Sequence, residues 1–322
     1  MVSRTGGAVA RRRAILALNL GGGAGFELWQ YMDRAPRAPD FVVSVGDLGI
    51  FAAKIRSKDI NAAFRDFRLR GVSVLSPAVL SDPAGGAHFF LQDPYGNTFQ
   101  ITQSDYSFAE TPAAVGGVSG CLIGVSDMEL SKRFYGQVLG YQHVVYETEG
   151  IFPDLRCVPG GNLPVLRARL QRTTPHSGHF TNMLGPSELE LVQTVRGTPR
   201  RIFANRCWGD LGFIHLCFDV TGMDALFGLC AQHGVFPLVD SKTRFQMEDA
   251  AGRFSYVEDP DGMLVEFVET YRIPIVKKLH WHVDLDRRPV DKPLPNWILK
   301  LLRFNRVTPR GLQAWKSRHG NC

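Results

Sequence analysis

The chain has 322 residues, of which 44% are hydrophobic and 21% charged, and its formal net charge is +6. These are ordinary values for a soluble globular protein, and the length allows two domains with separate cores. The positive charge sits at the ends: residues 1–13 carry +4 and residues 271–322 carry +9, which leaves −7 on the body at 14–270. A basic tail on an acidic body reads as solvated surface or self-contact, so no nucleic-acid partner is expected. The six cysteines contain no CxxC and several lie in apolar runs, which points to free thiols in a reducing, cytoplasmic setting. No apolar run approaches the ~18 residues of a membrane span, so no membrane partner is expected either.

Arg11-Arg12-Arg13 before AILALNL resembles a twin-arginine export signal, but the apolar run is short and no small-residue cleavage site follows. The segment reads better as a strand over Ala14–Leu20, followed by a turn at Gly21–Gly25 and a second strand at Phe26–Tyr31. The glycine run lacks the Lys-Ser/Thr of a phosphate loop and does not open a helix. These strands look like the back half of a unit whose front strand and helix are absent, so either the true start lies upstream or the first unit is incomplete.

Glu27 to Gly71 and Glu190 to Gly234 then repeat one another without a gap at an offset of 163 residues: ELWQ, Pro36, Gly46-Asp47-Leu48-Gly49 and Gly71-Val72 match ELVQ, Pro199, Gly209-Asp210-Leu211-Gly212 and Gly234-Val235. After a three-residue insertion, Asp93-Pro94-Tyr95-Gly96 matches Asp259-Pro260-Asp261-Gly262. Both are hairpin turns, with proline presetting φ at the second position and glycine at the last. Each follows a strand and a helix, giving β-α-β-β-β. A third unit has strands at Cys121–Val125, His143–Thr148, Val165–Gln171 and Glu188–Thr194, and a helix at Asp127–Leu139. The fourth has a strand at Phe213–Val220 and a helix at Met223–His233 stopped by Gly234.

The expected organisation is an N-terminal pair of units at 1–105, a linker at 106–117, a C-terminal pair at 118–270 and a basic tail at 271–322. In the tail, Trp297, Ile298, Leu301 and Leu302 share one helical face, expected to dock on the body. The expected class is α+β: tandem βαβββ units paired into two cupped mixed sheets, helices outside, the first unit incomplete, and a C-terminal helical tail.

The repeated βαβββ units, the helix SKRFYGQVLGY, and D-P-D-G before a strand containing glutamate resemble the vicinal oxygen chelate superfamily over residues 14–270. That group includes glyoxalase I, methylmalonyl-CoA epimerase, extradiol dioxygenases and bleomycin-resistance proteins. The resemblance implies a divalent metal (Zn, Ni, Mn, Co or Fe) held by the first and last strands of paired units. In the C-terminal pair those positions fall at Gly120, Glu190, His215 and Glu266. In the N-terminal pair only Glu27 is ligand-capable, beside Ala52 and Gln100, so that pair is expected to be structural.

Alternation along 213–220 turns Phe213, His215, Cys217 and Asp219 to one face and Ile214, Leu216, Phe218 and Val220 to the other. Carboxylates inside strands, as at Glu190 and Glu266, are costly unless paired or metal-bound. The resemblance thus implies Glu190, His215 and Glu266 as the metal ligands, with Glu190 or Glu266 as the proton carrier. Water, a substrate oxygen or His179 could complete the coordination; His176, His280 and His282 read as surface or loop residues. No nucleophile elbow is present.

The resemblance implies a metal-dependent lyase or isomerase acting on a small α-hydroxycarbonyl or related vicinal-oxygen substrate. The alternatives are metal-free sequestration of a small molecule, as in bleomycin resistance, and extradiol ring cleavage, which normally uses two histidines and one carboxylate. The incomplete first unit leaves a sheet edge that a second subunit could cover.

Overall fold

The computed structural model describes residues 2–172, 177–242, 245–247 and 250–305. Unit 1 is a hairpin of β1 (Arg12–Ala17) and β2 (Phe26–Tyr31). Unit 2 comprises β3 (Gly49–Ser57), α1 (Ile60–Leu69), β4 (Ser73–Val74), β5 (Leu80–Ser81), β6 (Ala87–Gln92) and β7 (Thr98–Gln103). Unit 3 comprises β8 (Val118–Gly124), α2 (Met128–Arg133) with a π-helical turn to Val138, β9 (His143–Gly150), β10 (Val165–Gln171), a short α3 (Thr181–Leu184) and β11 (Glu188–Thr194). Unit 4 comprises β12 (His215–Asp219), α4 (Met223–Gln232), β13 (Val239–Asp240), β14 (Phe245–Met247), β15 (Ala250–Glu258) and β16 (Leu264–Val276). The tail adds β17 (Trp281–Asp284) and α5 (Asn296–Lys300).

Local chemistry explains two helix starts and the turns that the repeat keeps. Asp59 and Asp127 cap α1 and α2, their carboxylates accepting from Ala62 N (2.8 Å) and Leu130 N (2.9 Å). In the two hairpin turns Asp93 Oδ1 accepts from Tyr95 N and Asn97 N, while Asp259 Oδ1 accepts from Asp261 N and Met263 N. Gly96 and Gly262 take φ of 85° and 81°, a region that favours glycine.

The Gly-Asp-Leu-Gly motifs form a two-fold clasp between the loops before β3 and β12. Asp47 accepts from Ser44 N and Arg200 N, both at 2.9 Å; Asp210 accepts from Cys207 N (2.8 Å) and Arg37 N (2.9 Å). Leu48 N bonds to Arg200 O (2.8 Å) and Leu211 N to Arg37 O (3.0 Å). Every partner sits at its repeat-equivalent position, so each copy of the motif closes the other copy's loop.

The mixed α+β class holds, but the pairing of units differs from the expected 1–105 and 118–270 pairs. The nine-stranded sheet runs β4-β6-β7-β3-β8-β11-β10-β9, with β5 beside β6, and so joins units 2 and 3. The 106–117 linker is the physical reason. It folds back along β3, with Gly116 N on Arg56 O (2.8 Å), Arg56 N on Gly117 O (3.2 Å) and Ser57 Oγ on Ala114 O (2.9 Å). That path delivers β8 antiparallel to β3, so the linker zips two units into one sheet. Unit 4 forms its own sheet, β12-β16-β15-β13 with β14 and β17 alongside. Among the described residues β2 pairs only with β1 and β12 only with β16, so each keeps an unpaired edge.

The helical face of the large sheet packs Phe89, Leu91 and Ile101 with α1, and Ile123, Leu189 and Leu191 with α2. Its opposite face is filled by the β9–β10 loop, whose Leu155 and Val158 pack on Ala52, Phe90, Leu122 and Val192. In the tail, Leu294 and Leu299 are buried with Phe108 and Met183, whereas Trp297 is 59% exposed. The buried face thus centres on Ile298 and Leu299 instead of including Trp297, because α5 is a single short turn that continues as a 3-10 helix.

Candidate metal centre

β12 and β16 run parallel, with Cys217 opposite Glu266, which places His215 one pleat away on the same face. β2 supplies the opposing wall, where alternation turns Glu27, Trp29 and Tyr31 to one side. One ligand-capable atom from each of Glu27, His215 and Glu266 lies within 4.8 Å of the others. His215 Nε2 stands 2.9 Å from Glu266 Oε2. Burial opposes the Glu266 charge, but His215, Tyr256 and Cys217 beside it outweigh that and hold its carboxyl below the usual range. His215 Nδ1 is buried and has no partner. Aromatic rings surround the imidazole: Trp29 and Tyr256 each lie 5.4 Å away, and Trp208 lies 5.2 Å from Trp29. The indole nitrogens of Trp29 and Trp208 are also buried without partners. Two carboxylates and an imidazole in reach of one point suit a borderline divalent cation such as Zn²⁺, Mn²⁺, Fe²⁺, Co²⁺ or Ni²⁺.

The structure does not bring Glu190 to this point. Glu190 lies on β11 in the large sheet, fully buried in an ion network. Lys54 Nζ bridges Glu188 (2.5 Å) and Glu190 (2.6 Å), and Arg167 binds Glu190 through Nε and Asp154 through Nη1 (2.7 Å). His88 Nε2 lies 3.1 Å from Asp154, and Tyr146 donates to Glu190 at 2.8 Å. Burial opposes the Glu190 charge, but Arg167 and Lys54 outweigh it and hold the carboxyl well below the usual carboxylate range. The Lys54 ammonium fills the position that a cation would need. The other three strand positions of this sheet offer nothing: Ala52 and Gln100 are buried, and a Cβ at Gly120 would sit 1.8 Å from Glu188 O. Glu190 is therefore an ion-pair residue here, and the expected Glu190/His215/Glu266 set is corrected to Glu27/His215/Glu266.

The signal for Glu27 was present, since it is the repeat equivalent of Glu190. The carboxylate that converges with His215 and Glu266 is the repeat equivalent of the expected one, because the linker pairs unit 3 with unit 2 and leaves unit 1 to face unit 4. His179 does not join the centre either; it is buried where the tail docks, its carbonyl accepting from Leu294 N at 2.8 Å. His280 and His282 are exposed at β17, and His176 lies outside the described residues. The strand carrying His215 begins later than expected, so Phe213 and Ile214 fall outside its alternation. Phe213 packs with the helix-side core and Ile214 with Trp208 and Tyr256.

Residues 117–267 match the model of the Glyoxalase/Bleomycin resistance protein/Dioxygenase superfamily. A search of curated proteins found no match in sequence. Among solved structures, a glyoxalase I variant from Zea mays aligns at a TM-score of 0.50 with 16% identity over 83% of this chain and 85% of the other. A second glyoxalase I variant from Zea mays aligns at 0.50 with 17% identity over 83% and 87%. A dioxygenase candidate from Bacillus subtilis aligns at 0.52 with 13% identity over 80% and 72%. At such identities the neighbours establish the fold alone. Residues 117–267 thus carry a domain of the glyoxalase, bleomycin resistance and dioxygenase superfamily, and the solved neighbours share the fold of the chain.

Proposed function

We propose that the chain is a metal-dependent lyase or isomerase of glyoxalase type, acting on a small molecule that presents two vicinal oxygens. The carrying observation is the convergence of Glu27, His215 and Glu266 from three strands of two units. The ligand set is one histidine and two carboxylates, which suits redox-neutral chemistry better than the two-histidine set of extradiol oxygenases. A bound divalent ion would supply Lewis-acid stabilisation of the oxyanion that forms when a proton leaves the carbon next to a carbonyl.

The chain's own residues divide the remaining work. His215 and Glu266 anchor the centre: Glu266 is buried, held by Tyr256 and Cys217, and kept ionised. Glu27 lies on an exposed strand and carries the proton between substrate carbons, because it is the carboxylate with room to move. Trp29, Trp208 and Tyr256 exclude water from the imidazole, and the free indole N–H groups orient substrate oxygens. The free thiols Cys121, Cys157, Cys207, Cys217 and Cys230 support a cytoplasmic setting. No helix among the described residues is long and apolar enough to cross a membrane.

The direct test is metal content of the purified protein and of His215→Ala and Glu27→Gln. About one equivalent of divalent metal, lost in His215→Ala and weakened in Glu27→Gln, is the expected result. The existing His215–Glu266 contact favours one second reading, ligand sequestration without metal. Absence of metal after adding Zn²⁺, Ni²⁺, Mn²⁺ and Fe²⁺ would select it.

A further inference from the structure

The loops joined by the Gly-Asp-Leu-Gly clasp border a solvent-open cavity of about 550 Å³, a size that suits a small molecule. Its lining includes Arg37, Arg200, Arg201 and Arg206 and a single carboxylate, Asp40. The four cations are not equally compensated. Arg37 lies 3.5 Å from Asp210 and Arg200 3.2 Å from Asp47. Arg206 gives its two terminal nitrogens only to carbonyls, those of Ile202, Arg37 and Leu211. Carbonyl oxygens orient a guanidinium without neutralising it. The Nε of Arg206 is buried with no partner. The exposed guanidinium of Arg201 makes no hydrogen bond or ion pair among the described residues.

The cavity is also held in shape before any ligand arrives. Asp47 and Asp210 are buried and fix both loops through backbone N–H groups. Asn205, in the cavity wall, is held at φ 56°, where its carbonyl accepts from Arg37 at 3.1 Å. Asparagine enters that region more readily than other non-glycine residues, and the bond from Arg37 holds it there.

We propose that this cavity is a second ligand site, distinct from the metal centre, which takes inorganic phosphate or a phosphate-bearing small molecule. Planar guanidiniums pair with phosphate oxygens two at a time, and four arginines against the single Asp40 in the lining favour a dianion over a monocarboxylate. The rigid clasp lowers the ordering cost of binding, since the arginines need little rearrangement.

Isothermal titration of the full chain with inorganic phosphate, with acetate as the control, tests the site. Expected are one phosphate per chain, no measurable acetate binding, and affinity that falls with added salt. Arg201→Ala should weaken phosphate about tenfold without changing the unfolding temperature of the ligand-free protein, since that side chain has no partner to lose. His215→Ala should bind phosphate as the parent does, which separates this site from the metal centre. Glycerol phosphate run in parallel distinguishes the free ion from an ester. No phosphate heat, equal affinity in Arg201→Ala, equal binding of acetate, or loss in His215→Ala would overturn the proposal.

Discussion

Glu190→Gln separates the two roles a buried strand carboxylate can have. Removing one partner of a buried ion pair costs roughly 3–5 kcal/mol, because it strands the opposite charge. Here each cation keeps a second carboxylate: Lys54 retains Glu188 at 2.5 Å, and Arg167 retains Asp154 at 2.7 Å. The expected loss therefore sits at the low end, about 3 kcal/mol. For a domain of this size that lowers the unfolding temperature by roughly 6–12 °C. Metal content should stay at the parent value, because Glu190 is not among the three converging residues. The assay is thermal unfolding by circular dichroism beside metal analysis of the same preparation. A variant that loses its metal while unfolding at the parent temperature would refute the argument and restore Glu190 as a ligand.

The same residue predicts acid sensitivity. Its folded pKa lies below the ordinary 4.5, so its stabilisation is fully present above that value and fades as pH falls through the folded one. The stability gap between parent and Glu190→Gln should be constant at neutral pH and shrink below about pH 4.5, as followed by urea titration at several pH values. Asp210→Ala strips the clasp of the acceptor for Arg37 N, Cys207 N and the Arg34 guanidinium at 2.5 Å. With two backbone donors left unsatisfied, the expected destabilisation is about 3 kcal/mol, measured by denaturant unfolding; an unchanged midpoint would dismiss the clasp. At the metal centre, Glu27→Gln should reduce turnover on any accepted substrate by at least about a hundredfold while Trp29 and Trp208 fluorescence stays native-like. Full turnover would remove Glu27 as the proton carrier.

Much of this architecture was legible in the sequence because its causes are local. Strand alternation and the Asp-Pro-x-Gly turns act within a few residues, and the elements formed close to where those signals lie. The repeat at an offset of 163 residues also marked the strand position of the converging carboxylate, since Glu27 and Glu190 are equivalent. It marked the Gly-Asp-Leu-Gly motifs as needed by the fold, but their reciprocal closure appears only when both copies face one another.

What the tertiary structure decided is which units share a sheet. That choice rests mainly on backbone bonds between the linker and β3, made by N–H and C=O groups that leave little side-chain signature. The linker puts Glu190 beside Lys54 and Arg167, where its charge stabilises an ion network. It leaves Glu27 to meet His215 and Glu266 across the other sheet. Two equivalent carboxylates thus hold different roles, because a carboxylate's role follows from the cations placed around it. Those cations are set by strand pairing between segments far apart in the chain.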